Sequence, residues 1–323
     1  MNGYVLVKGI AGLGNRMLSA MTGILYAMLS DRKAVIDWTD RTYSSSGENV
    51  FQKLFVARNS VEVLPHWALD SVNPPLWAQR MGKSSSEVID EIDAKAYDGL
   101  RAYRKFSFDF SRIDHSEKTL VMWSYNHLIP RLRKHFRGQF TWLSSKTDEE
   151  IISWLLHSEM LLHPDIAKSV EQRWRSLVSQ ENIIGVHIRH TDRKLPLAPY
   201  FKAIDELLQR APGAEMFLAT DNIGVQSMVI ERYKKVVYNK KWFPAEGEVM
   251  HLSKICPDRT QNAIDALLDM YMLSKCRYLV FAGSSTFSYM SSLITTSPRS
   301  DIINVEQHNP VIQFKRALKR AFV

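Results

Sequence analysis

The sequence predicts an α/β protein made of two Rossmann-like halves facing a central cleft. Three observations carry that reading. The chain opens on a strand, a glycine loop, a helix and a second strand. A further strand–helix alternation starts near residue 183. The length of 323 residues exceeds one ordinary domain. We place the division at 1–175, a Rossmann-like domain with helical insertions, and 176–323, a second Rossmann-like domain with a terminal helix that crosses back.

In chain order, Tyr4–Val7 is an apolar run and Gly9–Gly14 a loop. Met17, Leu18, Met21, Ile24, Leu25, Met28 and Leu29 then recur at helical spacing, and Ala34–Trp38 reads as a buried strand. Residues 40–60 and 70–90 are rich in Ser, Asn, Pro and Gly and read as long loops, whereas 84–175 reads as mainly helical, interrupted by the strand Thr119–Trp123. From there the sequence predicts strands at Ile183–Ile188, Met216–Thr220, Val236–Tyr238, Tyr278–Ala282 and Ile302–Val305. Helices are expected at Pro199–Arg210, Asn222–Tyr233, Asn262–Cys276 and Phe287–Thr295.

Lysine and arginine total 42 against 34 acids, a net charge of +8. The excess is local. Residues 101–137 carry +6 and the last nine residues +4, so the remainder is close to neutral. Nucleic acid is therefore not the expected partner of the whole chain. The start reads as a strand and lacks the basic and apolar regions of a signal peptide. No apolar run reaches the ~18 residues of a spanning helix. Cys256 and Cys276 are the only cysteines, too few for a disulfide framework or a zinc site, and a cytoplasmic setting is expected. Val311–Phe322 reads as a short basic amphipathic helix. Packing across the domains is the first expectation for it and weak membrane-surface contact the lesser one.

Four strand ends carry residues suited to chemistry. Gly12-Leu13-Gly14-Asn15-Arg16 sits at a βα turn where backbone N–H groups can approach an anion; the alternative is a plain tight turn. Met17 occupies the third glycine position of the dinucleotide fingerprint, which disfavours NAD. His187-Ile188-Arg189-His190-Thr191-Asp192 ends a buried strand, and alternation sends His187 and Arg189 to one face. Such an arginine suits a phosphate, against a structural Arg–Asp pair as the alternative. Leu218–Asn222 is read as helix capping by Thr220 or Asp221. Ala282–Ser288 is a hydroxyl-rich turn suited to a diphosphate. No Asp-x-Asp metal handle, nucleophile elbow or His-Glu-x-x-His motif is present, so hydrolase and metalloprotease readings fall.

Taken together, Gly185–Asp192, Ala219-Thr220-Asp221, Leu268-Asp269 with Leu273-Ser274, and Ser285–Ser288 resemble the inverting GT-B fucosyltransferases of the nodulation protein Z and alpha-1,6-fucosyltransferase type. The resemblance covers residues 183–295 and 4–38. It implies fucose transfer from GDP-fucose to a hydroxyl of an oligosaccharide or glycolipid, with no metal and no cofactor. The second domain would hold the donor and the first would face the acceptor. Carried over by position, Arg189 would hold the diphosphate, with His190 at a place where relatives have arginine or histidine. His187 and Asp269 would contact guanine, and Ser285, Thr286 and Phe287 would line the phosphates. Gly12, Gly14 and Asn15 would meet the donor from the first domain. Some relatives place a glutamate after the arginine motif as base; here Arg193–Leu197 carries none, leaving Asp192, Asp37 or no strong base. Two other readings stand beside this one: a GT-B transferase of another GDP-sugar, and a non-catalytic polyanion- or glycan-binding protein.

Overall fold

The structure, a computed structural model, describes residues 3–93, 104–179, 181–191, 194–245 and 247–306. It divides into two compact units, with the boundary between His163 and Pro164.

The first unit begins with β1 (Tyr4–Lys8), α1 (Leu13–Leu29) and β2 (Lys33–Asp37). It continues with α2 (Phe51–Leu54), β3 (Phe55–Ala57), β4 (Val72–Asn73), α3 (Ser85–Asp93) and β5 (Thr119–Trp123). It closes with α4 (Ile129–Leu132), α5 (Asp148–Ser158) and β6 (Met160–Leu162). Four strands form a parallel sheet in the order β2-β1-β5-β4, with Leu6 opposite both Val35 and Val121. The apolar stripe of α1 is buried from Met17 to Leu25, with Met28 and Leu29 partly exposed, and the helix packs on β1 and β2. A capping box between Thr147 and Glu150 starts α5.

The second unit contains α6 (Pro164–Leu177), β7 (Ile183–Ile188), α7 (Ala198–Arg210), β8 (Glu215–Thr220), α8 (Ile223–Arg232), β9 (Val236–Val237), α9 (Arg259–Lys275), β10 (Tyr278–Phe281), α10 (Thr286–Ile294) and β11 (Ile302–Asn304). Its five strands lie parallel in the order β11-β10-β7-β8-β9. The chain thus runs outward from β7 through β8 to β9, then returns to β10 on the other side of β7. That is the doubly wound Rossmann order, whose switch point lies between β7 and β10. Burial on both faces explains the near-continuous apolar strands. Ile184, Val186 and Ile188 pack with Tyr200, Ile204, Leu207, Met216, Leu218 and Val280 in one core. At Gly185 a Cβ would lie 2.9 Å from Cys276 Sγ, so the missing side chain lets the end of α9 close onto β7.

Two expectations for the first unit need correction. The stretches 40–60 and 70–90 are not long loops: they supply α2, β3, β4 and part of α3, and β3 pairs antiparallel with β6. Strands of two or three residues are too short to show a period-two pattern. Conversely, 104–147 is less helical than expected, with short 3₁₀ turns at Arg133–His135 and Gly138–Ser145 beside the four-residue α4. The basic tail Val311–Phe322 and Asp192 lie outside the described residues. No helix among the described residues is long and apolar enough to cross a membrane.

Candidate functional site

In an open parallel sheet the crevice at the carboxyl ends of the strands beside the switch point is where ligands bind. In the second unit those ends belong to β7 and β10, and most of the candidate residues meet there. His187, the fifth residue of β7, is buried with its ring stacked on Phe287 of α10, centroids 4.6 Å apart and planes at 26°. Its Nδ1 is hydrogen-bonded to Ser288 Oγ. Burial first, then the positive charges of Lys241 and Arg189, push its pKa down to about 3, so the imidazole is neutral near pH 7.

Arg189 follows, half-buried, close enough for its charge to act on His187. The next two residues are fixed from β8. His190 N–H donates to Asp221 Oδ1 at 2.7 Å and Thr191 Oγ1 to Asp221 Oδ2 at 2.7 Å. Asp221 is thus a clamp on the loop after β7. The cap expected at Thr220 or Asp221 falls one residue later, where Asn222 Oδ1 accepts from Val225 N–H at 2.9 Å. His190 Nδ1 is buried without a hydrogen-bond partner among the described residues.

On the other side of the switch point, the turn from β10 into α10 is held by residues that end β11 and follow it. Gly283 N–H donates to Asn304 Oδ1 at 2.9 Å and Ser284 N–H to Glu306 Oε2 at 2.6 Å. Ser285 is the N-cap of α10, yet its side chain makes no capping bond, and Oγ is buried without a partner among the described residues. Thr286 and Phe287 open the helix. Their N–H groups have no intrahelical acceptor, and no acid sits in the first turn, so this end favours an anion.

Asp269 lies on α9, its side chain only 2% exposed. Oδ1 accepts from Asn239 Nδ2 at 2.7 Å and Oδ2 from Lys241 Nζ at 2.5 Å. Lys241 also acts electrostatically on His187, which places the two guanine candidates in one polar cluster. A neutral imidazole, a half-buried guanidinium and an open helix N-terminus form an environment suited to a nucleoside diphosphate.

Gly12, Gly14 and Asn15 belong to the first unit, at the turn from β1 into α1. Gly12 is the N-cap, extended and without a side chain, and Gly14 is buried in the first helical turn. The loop is shaped by Arg16, which is fully buried. Its Nε donates to Ala11 O at 2.8 Å and Nη2 to Asp40 Oδ2 at 2.5 Å and Thr42 Oγ1 at 3.0 Å. Gly9 makes room for it: a Cβ there would lie 2.3 Å from Arg16 Nη1. Asp37, one candidate base, has both oxygens engaged, Oδ2 by Lys8 Nζ at 2.6 Å and Oδ1 by Thr39 N–H and Oγ1. Among the described residues no group of three His, Cys, Asp or Glu side chains is placed to hold a metal ion.

Sequence reasoning did not single out Lys241, Asn239, Asn304, Glu306 or the structural role of Arg16. Lys241, Asn239 and Glu306 follow strand ends and Asn304 is the last residue of β11, all in segments without a motif. The signal for Arg16 was the glycine at position 9, whose lost Cβ leaves space for a guanidinium.

No family model matches the chain. It is 24% identical over 320 residues to nodulation protein Z of Azorhizobium caulinodans, covering 90% of this chain and 88% of that protein. Among solved structures, fucosyltransferase NodZ from Bradyrhizobium aligns with a TM-score of 0.65 at 21% identity, covering 95% of this chain and 96% of that one. NodZ alpha-1,6-fucosyltransferase soaked with GDP-fucose aligns with a TM-score of 0.60 at 20% identity, covering 91% and 92%. A variant of Arabidopsis thaliana FUT1 in complex with GDP gives 0.56 at 17% identity, covering 91% of this chain and 69% of that one. The chain carries the GT-B fold of the NodZ-type fucosyltransferases.

Proposed function

We propose that the protein transfers L-fucose from GDP-fucose to a hydroxyl of a glycan acceptor, with inversion and without a metal. The observation that carries this reading is the cluster of His187, Arg189, Thr286 and Phe287 at the β7–β10 switch point, in a fold shared with a NodZ structure soaked with GDP-fucose. In the reaction the acceptor oxygen bonds to C1 of fucose while the C1–O bond to the diphosphate breaks. GDP leaves with the bonding electrons. Arg189, Ser285 Oγ and the N–H groups of Thr286 and Phe287 are assigned to the charge that develops on the leaving diphosphate. His190 is assigned a place beside it, Asp192 the acceptor's proton, and His187 and Asp269 the base. Gly12, Gly14 and Asn15 are the donor-binding residues assigned in the first unit. Asp37 is not assigned as base, because Lys8 and Thr39 hold it. The acceptor is an oligosaccharide or glycolipid and the setting cytoplasmic, in keeping with two free thiols.

The test is turnover of GDP-fucose by the full chain against a panel of oligosaccharides, with and without EDTA, with the product anomer read by NMR. A fucosylated product of configuration opposite to the donor's, formed equally in EDTA, is expected. Turnover of another GDP-sugar in place of GDP-fucose moves the assignment to that donor. Thermal stabilisation by RNA but not by GDP ends the transferase reading.

A further inference from the structure

The turn from β10 into α10 is fixed from the edge of the sheet. Asn304 ends β11 opposite Phe281 of β10, and Val305 N–H donates to Phe281 O at 2.9 Å. Alternation along an extended chain puts the side chains of Asn304 and Glu306 on the same side. Both reach over the end of β10. Asn304 Oδ1 accepts from Gly283 N–H at 2.9 Å and from Glu306 N–H at 3.1 Å, and Glu306 Oε2 accepts from Ser284 N–H at 2.6 Å. Ser285 N–H turns back to Ala282 O at 3.1 Å. Three successive N–H groups are thus taken within the chain, and the first donors left at this helix end are those of Thr286 and Phe287.

Glu306 is the unexpected member of this bracket. It is 7% exposed, and no cation among the described residues pairs with it. Burying a lone carboxylate is costly, and the neighbouring amide does similar work without a charge. A carboxylate beside a helix N-terminus also repels the anion that this end would bind, so affinity for a diphosphate does not call for it. What a carboxylate adds is a shorter and stronger hydrogen bond to a backbone N–H, 2.6 Å here against 2.9 Å at Asn304. Its charge also reaches the buried hydroxyl of Tyr200 on α7. That pKa is raised by burial first, then by Glu306 and by Asp221, the clamp on the loop after β7. Glu306 thus lies beside the switch point. We infer that Glu306 is a positioning residue for the transfer step. Through Ser284 N–H, and with Asn304, it holds the turn so that the N–H groups of Thr286 and Phe287 are already aimed where charge develops on the leaving diphosphate. The inference rests on the GDP-fucose reading and extends it to residues that do not touch the donor.

The test is steady-state turnover of GDP-fucose, with an acceptor that the wild type fucosylates, by the full-length protein and its variants E306Q, E306D and E306A. Titration with GDP counts the folded sites in each sample. E306Q keeps an acceptor at the same reach and loses the charge, whereas E306D keeps the charge and falls one methylene short of Ser284 N–H. The expected kcat is within about fivefold of wild type for E306Q and about 10–100-fold lower for E306D and E306A, because a misplacement of about 1 Å costs on the order of 100-fold. KM for GDP-fucose should stay within about threefold in all three, since Arg189 and the donor's other contacts are untouched. E306Q as slow as E306D, or slower, would show that the charge matters and not the bond, and overturns the inference. So does E306A turning over within about threefold of wild type, or a loss confined to KM. Should E306A fail to fold, the contrast of E306Q with E306D still decides. A wild type that turns over no GDP-fucose sinks the GDP-fucose reading itself, a result distinct from turnover that survives these changes.

Discussion

His187 shows how the fold sets a single group's chemistry. Burial and two neighbouring cations hold its pKa at about 3, against 6.5 for an ordinary imidazole. Between those values the unfolded chain binds a proton that the native state refuses, so stability falls as pH drops from 6.5 toward 3. The slope from this one group is about 1.4 kcal/mol per pH unit. His187→Asn is expected to have a flatter melting-temperature profile than wild type over that range; identical slopes would show that burial does not hold the proton off. Arg189 is the other decisive residue. Arg189→Ala should lower turnover of GDP-fucose by about 10²–10³-fold, the usual loss when one group stabilising a leaving charge is removed. Its circular dichroism should be unchanged, and activity within a few-fold of wild type would refute the assignment.

At the scale of elements, the strands of five or six residues were legible because buried parallel strands are short apolar runs ending in small or charged residues. Ile183–Ile188 and Thr119–Trp123 have those bounds in the structure. Helices α1, α7, α9 and α10 also lie where their apolar spacing indicates, with ends that differ by at most four residues. Side chains that act across sequence distance were not legible. Lys241 meets Asp269 from 28 positions away, and Arg16 meets Asp40 from 24. Nothing local marks such pairs, because packing of the finished fold creates them. The glycine loop of α1 is the clearest example. Ala11 takes a left-handed conformation, φ 61°, and Arg16 holds its carbonyl while its guanidinium packs near Trp38 and Tyr43. Arg16→Ala leaves Asp40, 7% exposed, without its cation and should destabilise the protein by about 3–5 kcal/mol. Arg16→Lys should recover little of this, because an ammonium cannot reach three acceptors in the geometry of a planar fork. A chemical-denaturation midpoint unchanged in Arg16→Ala would contradict the role.

For the whole molecule, the basic excess first noted in residues 101–137 is partly spent inside the first unit. Lys105 pairs with Asp93 and Arg133 with Asp148, both acids outside that segment, while Lys118 lies over the Trp67 ring. Composition could not show this, since it counts charges and not their neighbours. Strand order was hidden for a related reason: that β10 returns beside β7 is decided by which apolar faces the helices can cover, a property of the assembled sheet. The close approach of α9 to β7 at Gly185 has a practical result. Cys276 is sealed at that contact, with its thiol pKa pushed far up by burial, whereas Cys256 is half-buried ahead of α9 and shifted upward too. Alkylation needs both thiolate and access. Mass-resolved labelling should therefore show Cys256 reacting first and Cys276 reacting only as fast as the second unit opens. Labelling of both at one rate would contradict that seal. GDP at 100 times its dissociation constant should slow the Cys276 phase about 100-fold if it binds only the closed state. The two sulfurs thus make the second unit its own stopwatch, one timing the reagent and the other the breathing of the sheet.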